Sequence, residues 1–142
     1  MVHGQTIEAE VAYSEIYKLA KKSIYVVDNY IGVKTLLLLK DISAGVNVTI
    51  FSDNKVKLTL LQYQEFCKEY PNLKITFQKT CDKFHDRFII LDYGTKREKI
   101  YHCGGSSKDG GRRTTVLSKL EDIGISDDMI KELLGIPPLK LK

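Results

Sequence analysis

Three short runs rich in β-branched and aromatic residues, Ser23–Tyr30, Val46–Phe51 and Leu73–Phe77, alternate with two helical patterns. Strands interleaved with helices pair side by side through crossovers, which favours parallel pairing and a sheet covered on both faces. The two helices are expected over Lys34–Ile42, stopped near Gly45, and over Leu58–Tyr70, stopped before Pro71. An earlier helix is expected over Tyr13–Lys22, where Tyr13, Ile16, Tyr17 and Ala20 form an apolar stripe and lysines close the last turn. Two further strands, Phe84–Leu91 and Lys99–Cys103, are expected to form a hairpin across Tyr93–Glu98. A final short helix, Asp127–Leu134, has Ser126 as its N-cap and Gly135 as its stop. The expected fold class is α/β, with a mainly parallel, mixed sheet flanked by helices on both faces.

Length and composition set outer bounds. A chain of 142 residues with 43% hydrophobic content fits one domain with a single core and argues against disorder. A net charge of +4 permits a nucleic-acid or anionic-lipid partner without demanding one. The longest apolar run, Leu36–Leu39, is far too short to span a bilayer, and no secretory signal pattern is read at the N-terminus. Cys67, Cys81 and Cys103, an odd number without close pairing, fit reduced thiols, so a cytoplasmic location is expected.

Chemistry concentrates in "KFHDRFIILD", Lys83 to Asp92. On an extended strand His85 and Arg87 share one face, while Asp86 and Phe88 point the other way. A guanidinium offers a fork of donors that fits phosphate oxygens, and an imidazole can act as nucleophile or proton donor near neutral pH. Asp92, at the far end of the strand, is a candidate to orient an imidazole. After the hairpin comes "HCGGSSKDGGRR", His102 to Arg113, where paired glycines around Ser106, Ser107 and Lys108 let backbone N–H groups approach an anion. The residues Asp28, Asn29, Tyr30 and Asp53 fall at carboxyl ends of strands, where open α/β sheets form their ligand crevice. Taken alone, each of these features also reads as an outward-facing strand surface or a solvated turn, and for His85 and Arg87 the plain strand surface is the favoured reading until the Gly-rich segment is added.

The order His85-x-Arg87, four residues, Asp92, a hairpin and then Gly104-Gly105-Ser106-Ser107 resembles the His-x-Lys/Asp signature of the phospholipase D-like superfamily. The likeness extends over most of residues 12 to 117. It is greatest to a bacterial and phage subgroup whose members often carry a DNA-binding domain ahead of this one, so a longer parent protein is expected. The resemblance implies metal-independent phosphodiester chemistry, with no cofactor, in which the nucleophile falls on His85 and the phosphate clamp on Arg87. The phosphate-site hydroxyl or amide groups fall on Ser106 and Ser107, and the acidic position on Asp92. Two departures stand out. Arg87 replaces the family's Lys, and the family's Gly-Ser falls on Gly105 or Ser106 and its Asn on Ser107 or Lys108, according to how "GGSS" is aligned.

Because the family's mechanism uses two His-bearing motifs and this chain carries one, the resemblance also implies a two-fold homodimer that brings two copies of His85 together. A second reading keeps the anion pocket without turnover, as a module that binds nucleic-acid or lipid phosphate through Arg87, Lys108, Arg112 and Arg113. A zinc site from Cys81, His85, His102 and Cys103 is disfavoured. The adjacent His102 and Cys103 point to opposite faces of a strand and do not close a tetrahedron easily.

Overall fold

The computed structural model describes residues 5–81, 87–106, 114–120 and 124–142, with side chains over 12–81, 87–102 and 128–142. Its elements run α1 (Gln5–Lys18), β1 (Ser23–Val27), α2 (Val33–Leu37), β2 (Asn47–Phe51), α3 (Leu60–Glu69) and β3 (Lys74–Gln78). They continue with β4 (Arg87–Leu91), β5 (Lys99–Ser106), β6 (Thr114–Leu120) and α4 (Gly124–Leu134). The strands form one six-stranded sheet in the order β3-β2-β1-β4-β5-β6. Both β1–β2 and β2–β3 are parallel pairs, and β1–β4, β4–β5 and β5–β6 are antiparallel.

Two layers of side chains sandwich this sheet. On one face Ile24, Val26, Val48, Ile50, Ile89 and Leu91 pack with Tyr17 and Ala20 near the end of α1, Leu36 of α2 and Phe66 of α3. On the other face Val27, Phe51, Ile90 and Ile100 pack with Met129, Ile130 and Leu133 of α4. The alternation along β1 and β4 is the strand period of two, and both strands are buried on both faces, which accounts for their nearly continuous apolar runs. The mixed sheet with helices on both faces agrees with the α/β expectation.

The parallel character is confined to half of the sheet, and the reason lies in one connection. Between β3 and β4 stand only residues 79–86, too few for a crossover helix. β4 therefore begins at the carboxyl edge where β3 ends and runs antiparallel beside β1. The β6 strand, from the β-branched "TTVLSKL" run, extends the antiparallel half further than a single hairpin.

Helix α1 stops at Lys18 rather than Lys22 because the next amides are taken elsewhere. The Asp92 carboxylate accepts from the backbone N–H of Lys21 at 2.9 and 3.2 Å, of Lys22 at 2.6 Å and of Ser23 at 3.2 Å. Those amides cannot also close helical turns. Asp92 is 2% exposed and adopts φ 53°, a left-handed conformation that Asp tolerates better than most residues. Helix α2 is likewise shorter than its pattern, continuing beyond Leu37 as tight turns such as Leu39 N–H to Leu36 C=O at 3.0 Å.

The C-terminal tail returns to cover the outer edge of β3, with Leu139 N–H donating to Phe77 C=O at 3.1 Å and Lys79 N–H to Pro137 C=O at 3.2 Å. This pairing occupies backbone groups that an open edge strand would leave exposed. No helix among the described residues is long and apolar enough to cross a membrane.

Burial alone would raise the carboxyl pKa of Asp92, but the amides of Lys22, Lys21 and Ser23, together with the Arg97 charge, hold it below the ordinary value. A depressed folded-state pKa gives stability that is present above the unfolded value of about 3.9 and lost as pH falls through the folded value. Asp92→Ala is expected to cost about 1–3 kcal/mol in chemical denaturation at pH 7, since it removes a buried acceptor from three part-buried amide donors. It should also flatten the acid limb of the stability profile below about pH 4. A loss within 0.5 kcal/mol, the range of a surface substitution, would contradict this role.

Candidate functional site

The carboxyl edge of the parallel strands carries a connected polar layer. Beyond β1 stand Asp28, Asn29 and Tyr30, beyond β2 stand Ser52, Asp53 and Asn54, and beyond β3 stand Thr80 and Cys81. Thr80 is fully buried, and its hydroxyl lies 2.8 Å from both Asn29 Oδ1 and Asp53 Oδ2, sharing one proton between them. Asp53 Oδ1 accepts from the N–H groups of Thr80 at 3.0 Å and Cys81 at 2.8 Å, and Asn29 Oδ1 accepts from Asp53 N–H at 2.9 Å. Three strand ends are thereby tied together just where the chain leaves β3 for β4. Asn54, at φ 54°, completes the second loop by accepting from Leu58 N–H at 2.7 Å and donating to Leu58 C=O at 2.9 Å.

Arg87 opens β4 at this same edge. The β1–β4 register pairs Val27 with Phe88, so one step further sets Asp28 opposite Arg87. The two side chains share the face of Val26 and Ile89. Burial pushes the Asp28 carboxyl above its ordinary pKa, partly offset by the hydrogen bond from Tyr30 N–H at 2.8 Å and by the Arg87 charge. Arg87 is half-buried at this edge, where a charge interacts more strongly than in open solvent.

The structure brings together only part of the site expected from sequence. Arg87 lies at the polar edge. Asp92 lies at the opposite edge, four residues further along the strand than Phe88, with its carboxylate occupied by backbone amides. Orientation of an imidazole at the Arg87 end is out of its reach, and its observed work is structural. The backbone of Ser106 ends β5, which pairs Cys103 with Arg87 and runs on past the same edge. His85, Ser107 and Lys108 lie outside the described residues, as do Arg112 and Arg113. His102 points to the other face, its ring 5.0 Å from that of Phe88. Among the described residues no group of three His, Cys, Asp or Glu side chains is placed to hold a metal ion.

Thr80 and Ser52 were not visible as site residues. Neither carries a motif, and both become significant only once β2 and β3 are known to be neighbours. Asp28 was visible as a polar strand end, but its pairing with Arg87 depends on β4 running against β1.

The edge and sheet define an open, mixed α/β fold with a polar layer at one end. No family model matches the chain, and no curated protein matches it. Among solved structures it is similar to TrmBL2, an archaeal chromatin protein that binds DNA, with a TM-score of 0.50 and 14% identity. That match covers 91% of this chain and 46% of TrmBL2. A second likeness, to polyphosphate kinase from Porphyromonas gingivalis, has a TM-score of 0.46 and 13% identity over 92% of this chain and 21% of the kinase. The chain therefore spans less than half the length of either neighbour. At such identity the first likeness speaks to the fold.

If Arg87 faces Asp28 as the register requires, Arg87→Ala removes an influence that lowers the Asp28 pKa. The Asp28 carboxyl should then titrate at higher pH than in the parent, read by carbon-13 chemical shifts of the side-chain carboxyl. An unchanged or lower value would separate the two groups.

Proposed function

We propose that this chain is a phospholipase D-like domain that hydrolyses a phosphodiester through a phospho-histidine intermediate. The observation that carries the reading is the position of Arg87. It opens a strand at the carboxyl edge of β1–β3, beside the point where the sheet reverses from parallel to antiparallel. In open α/β sheets the crevice at such a reversal is where ligands bind. The sequence sets His85 two residues before Arg87, the spacing at which the two side chains of an extended strand would share a face.

In the proposed reaction an imidazole nitrogen of His85 attacks phosphorus, and the bond from phosphorus to the leaving oxygen breaks. The proton for that oxygen comes from His85 of a second copy of the chain across a two-fold axis. Water then gives a proton to His85 of the second copy and attacks the same phosphorus, and the phosphorus–nitrogen bond breaks, restoring both histidines. Arg87, with the backbone around Ser106, Ser107 and Lys108, stabilises the charge that builds on the phosphoryl oxygens. Nucleic acid is the phosphodiester to test first, because TrmBL2 shares the fold and binds DNA. The replacement of the family's Lys by Arg87 favours a second reading, in which the pocket binds phosphate without turnover.

Hydrolysis of single-stranded DNA, duplex DNA and an artificial diester in excess chelator tests the proposal, with the oligomeric state measured by sedimentation at assay concentration. Chelator-resistant activity from a dimer is expected, falling by about a hundredfold or more in His85→Ala and in Arg87→Ala. Activity from a monomer would refute the two-copy mechanism. Binding without hydrolysis, weakened by Arg87→Ala, would replace it with the binding-only reading.

A further inference from the structure

We propose that a cavity at the opposite edge of the sheet is a second anion site, one that takes a phosphate group independently of Arg87. The cavity encloses about 320 Å³ and is lined by Leu19, Lys21, Leu91, Asp92, Arg97 and Lys99. It lies where α1 hands over to β1 and where β4 turns into β5, since Leu91 pairs with both Ile24 and Lys99.

Three cations converge there. Lys21 and Arg97 are exposed, Lys99 is half-buried, and none of them takes part in an ion pair among the described residues. The nearby carboxylate of Asp92 is committed to the amides of Lys21, Lys22 and Ser23, and the Glu98 carboxylate accepts from Gly94 N–H at 2.9 Å. The carbonyl end of α1 contributes about half a negative charge. Among the residues that line the cavity, three cations stand against one carboxylate, that of Asp92, so the lining carries a net positive charge that suits an anion.

The walls support the same ligand class. Leu19, Leu91 and the aliphatic stems of the lysines keep the floor apolar, so a seated anion meets the cations in a reduced dielectric. The volume admits pyrophosphate, a nucleoside monophosphate or one phosphate of a nucleic-acid strand. The shared chemistry is the phosphate group, and the two sources are a small free phosphate and a nucleic-acid backbone.

The experiment uses Arg87→Ala protein, so that the carboxyl edge is disabled, labelled with nitrogen-15 and titrated with pyrophosphate or with a single-stranded oligonucleotide. The amides of Lys21, Lys22, Arg97 and Lys99 are expected to shift and saturate. Adding Lys21→Ala and Arg97→Ala should weaken binding tenfold or more in protein that still unfolds cooperatively, while Lys96→Ala should change it less than twofold. Tighter, salt-steep binding of the oligonucleotide would assign the site to a nucleic-acid backbone, and equal or tighter binding of pyrophosphate to a free phosphate. Absence of shifts at those amides with either ligand, or undiminished affinity in the double substitution, would overturn the site.

Discussion

The grip of one buried carboxylate on three consecutive backbone amides sets the geometry of the sheet. Asp92 holds Lys21, Lys22 and Ser23 at the point where β1 begins, from the far end of β4. Asp92 N–H in turn donates to Ser23 C=O at 2.8 Å, so backbone and side chain fix the same register. A slip of one residue would turn every side chain of β4 to the wrong face and expose Ile89, Ile90 and Leu91 to unsuitable surroundings. With the register fixed, Arg87 has no choice of position. It falls opposite Asp28.

The second constraint is the short connection across 79–86. A longer segment would allow a helix and a parallel return, which would put the start of β4 at the opposite edge. Instead β4 begins at the carboxyl edge, and the Thr80–Asn29–Asp53 cluster anchors the chain as it leaves β3. Polar residues that alone read as loop entry become one layer, buried at Thr80 and Ser52 and open at Tyr30. The layer's hydrogen bonds are used mostly to hold strand ends together.

Much of this fold was legible in the sequence, because local periodicity reports local structure. The strands at Ser23 and Val46 and the helix before Pro71 declared themselves through apolar runs and breakers. The β6 strand was missed because "TTVLSKL" follows a Gly-rich, charged stretch that drew the reading toward a phosphate loop. Helix α1 was misplaced at both ends, since its C-terminal limit is set by Asp92, more than seventy residues away, as the separation of 71 between Lys21 and Asp92 records. The site was legible in residue types more than in arrangement. Arg87 and the strand-end carboxyls were each legible as polar candidates, but that Asp28 stands opposite Arg87 depends on sheet order, and sheet order is a property of connections rather than of patterns. Asp92 shows the same limit from the other side. Its spacing from His85 suggested chemistry, and its surroundings assign it to holding β1.

The central functional claim is that a phosphoryl group passes through His85 at the Arg87 end of the sheet. Rapid quench of a phosphodiester reaction under alkaline conditions, followed by peptide mapping by mass spectrometry, tests it most directly. The account predicts a transient phosphoryl adduct on the peptide containing His85, one per site at most, and none in His85→Asn protein. Hydrolysis that proceeds with no adduct on His85 at any quench time, or with the adduct on His102, would contradict it.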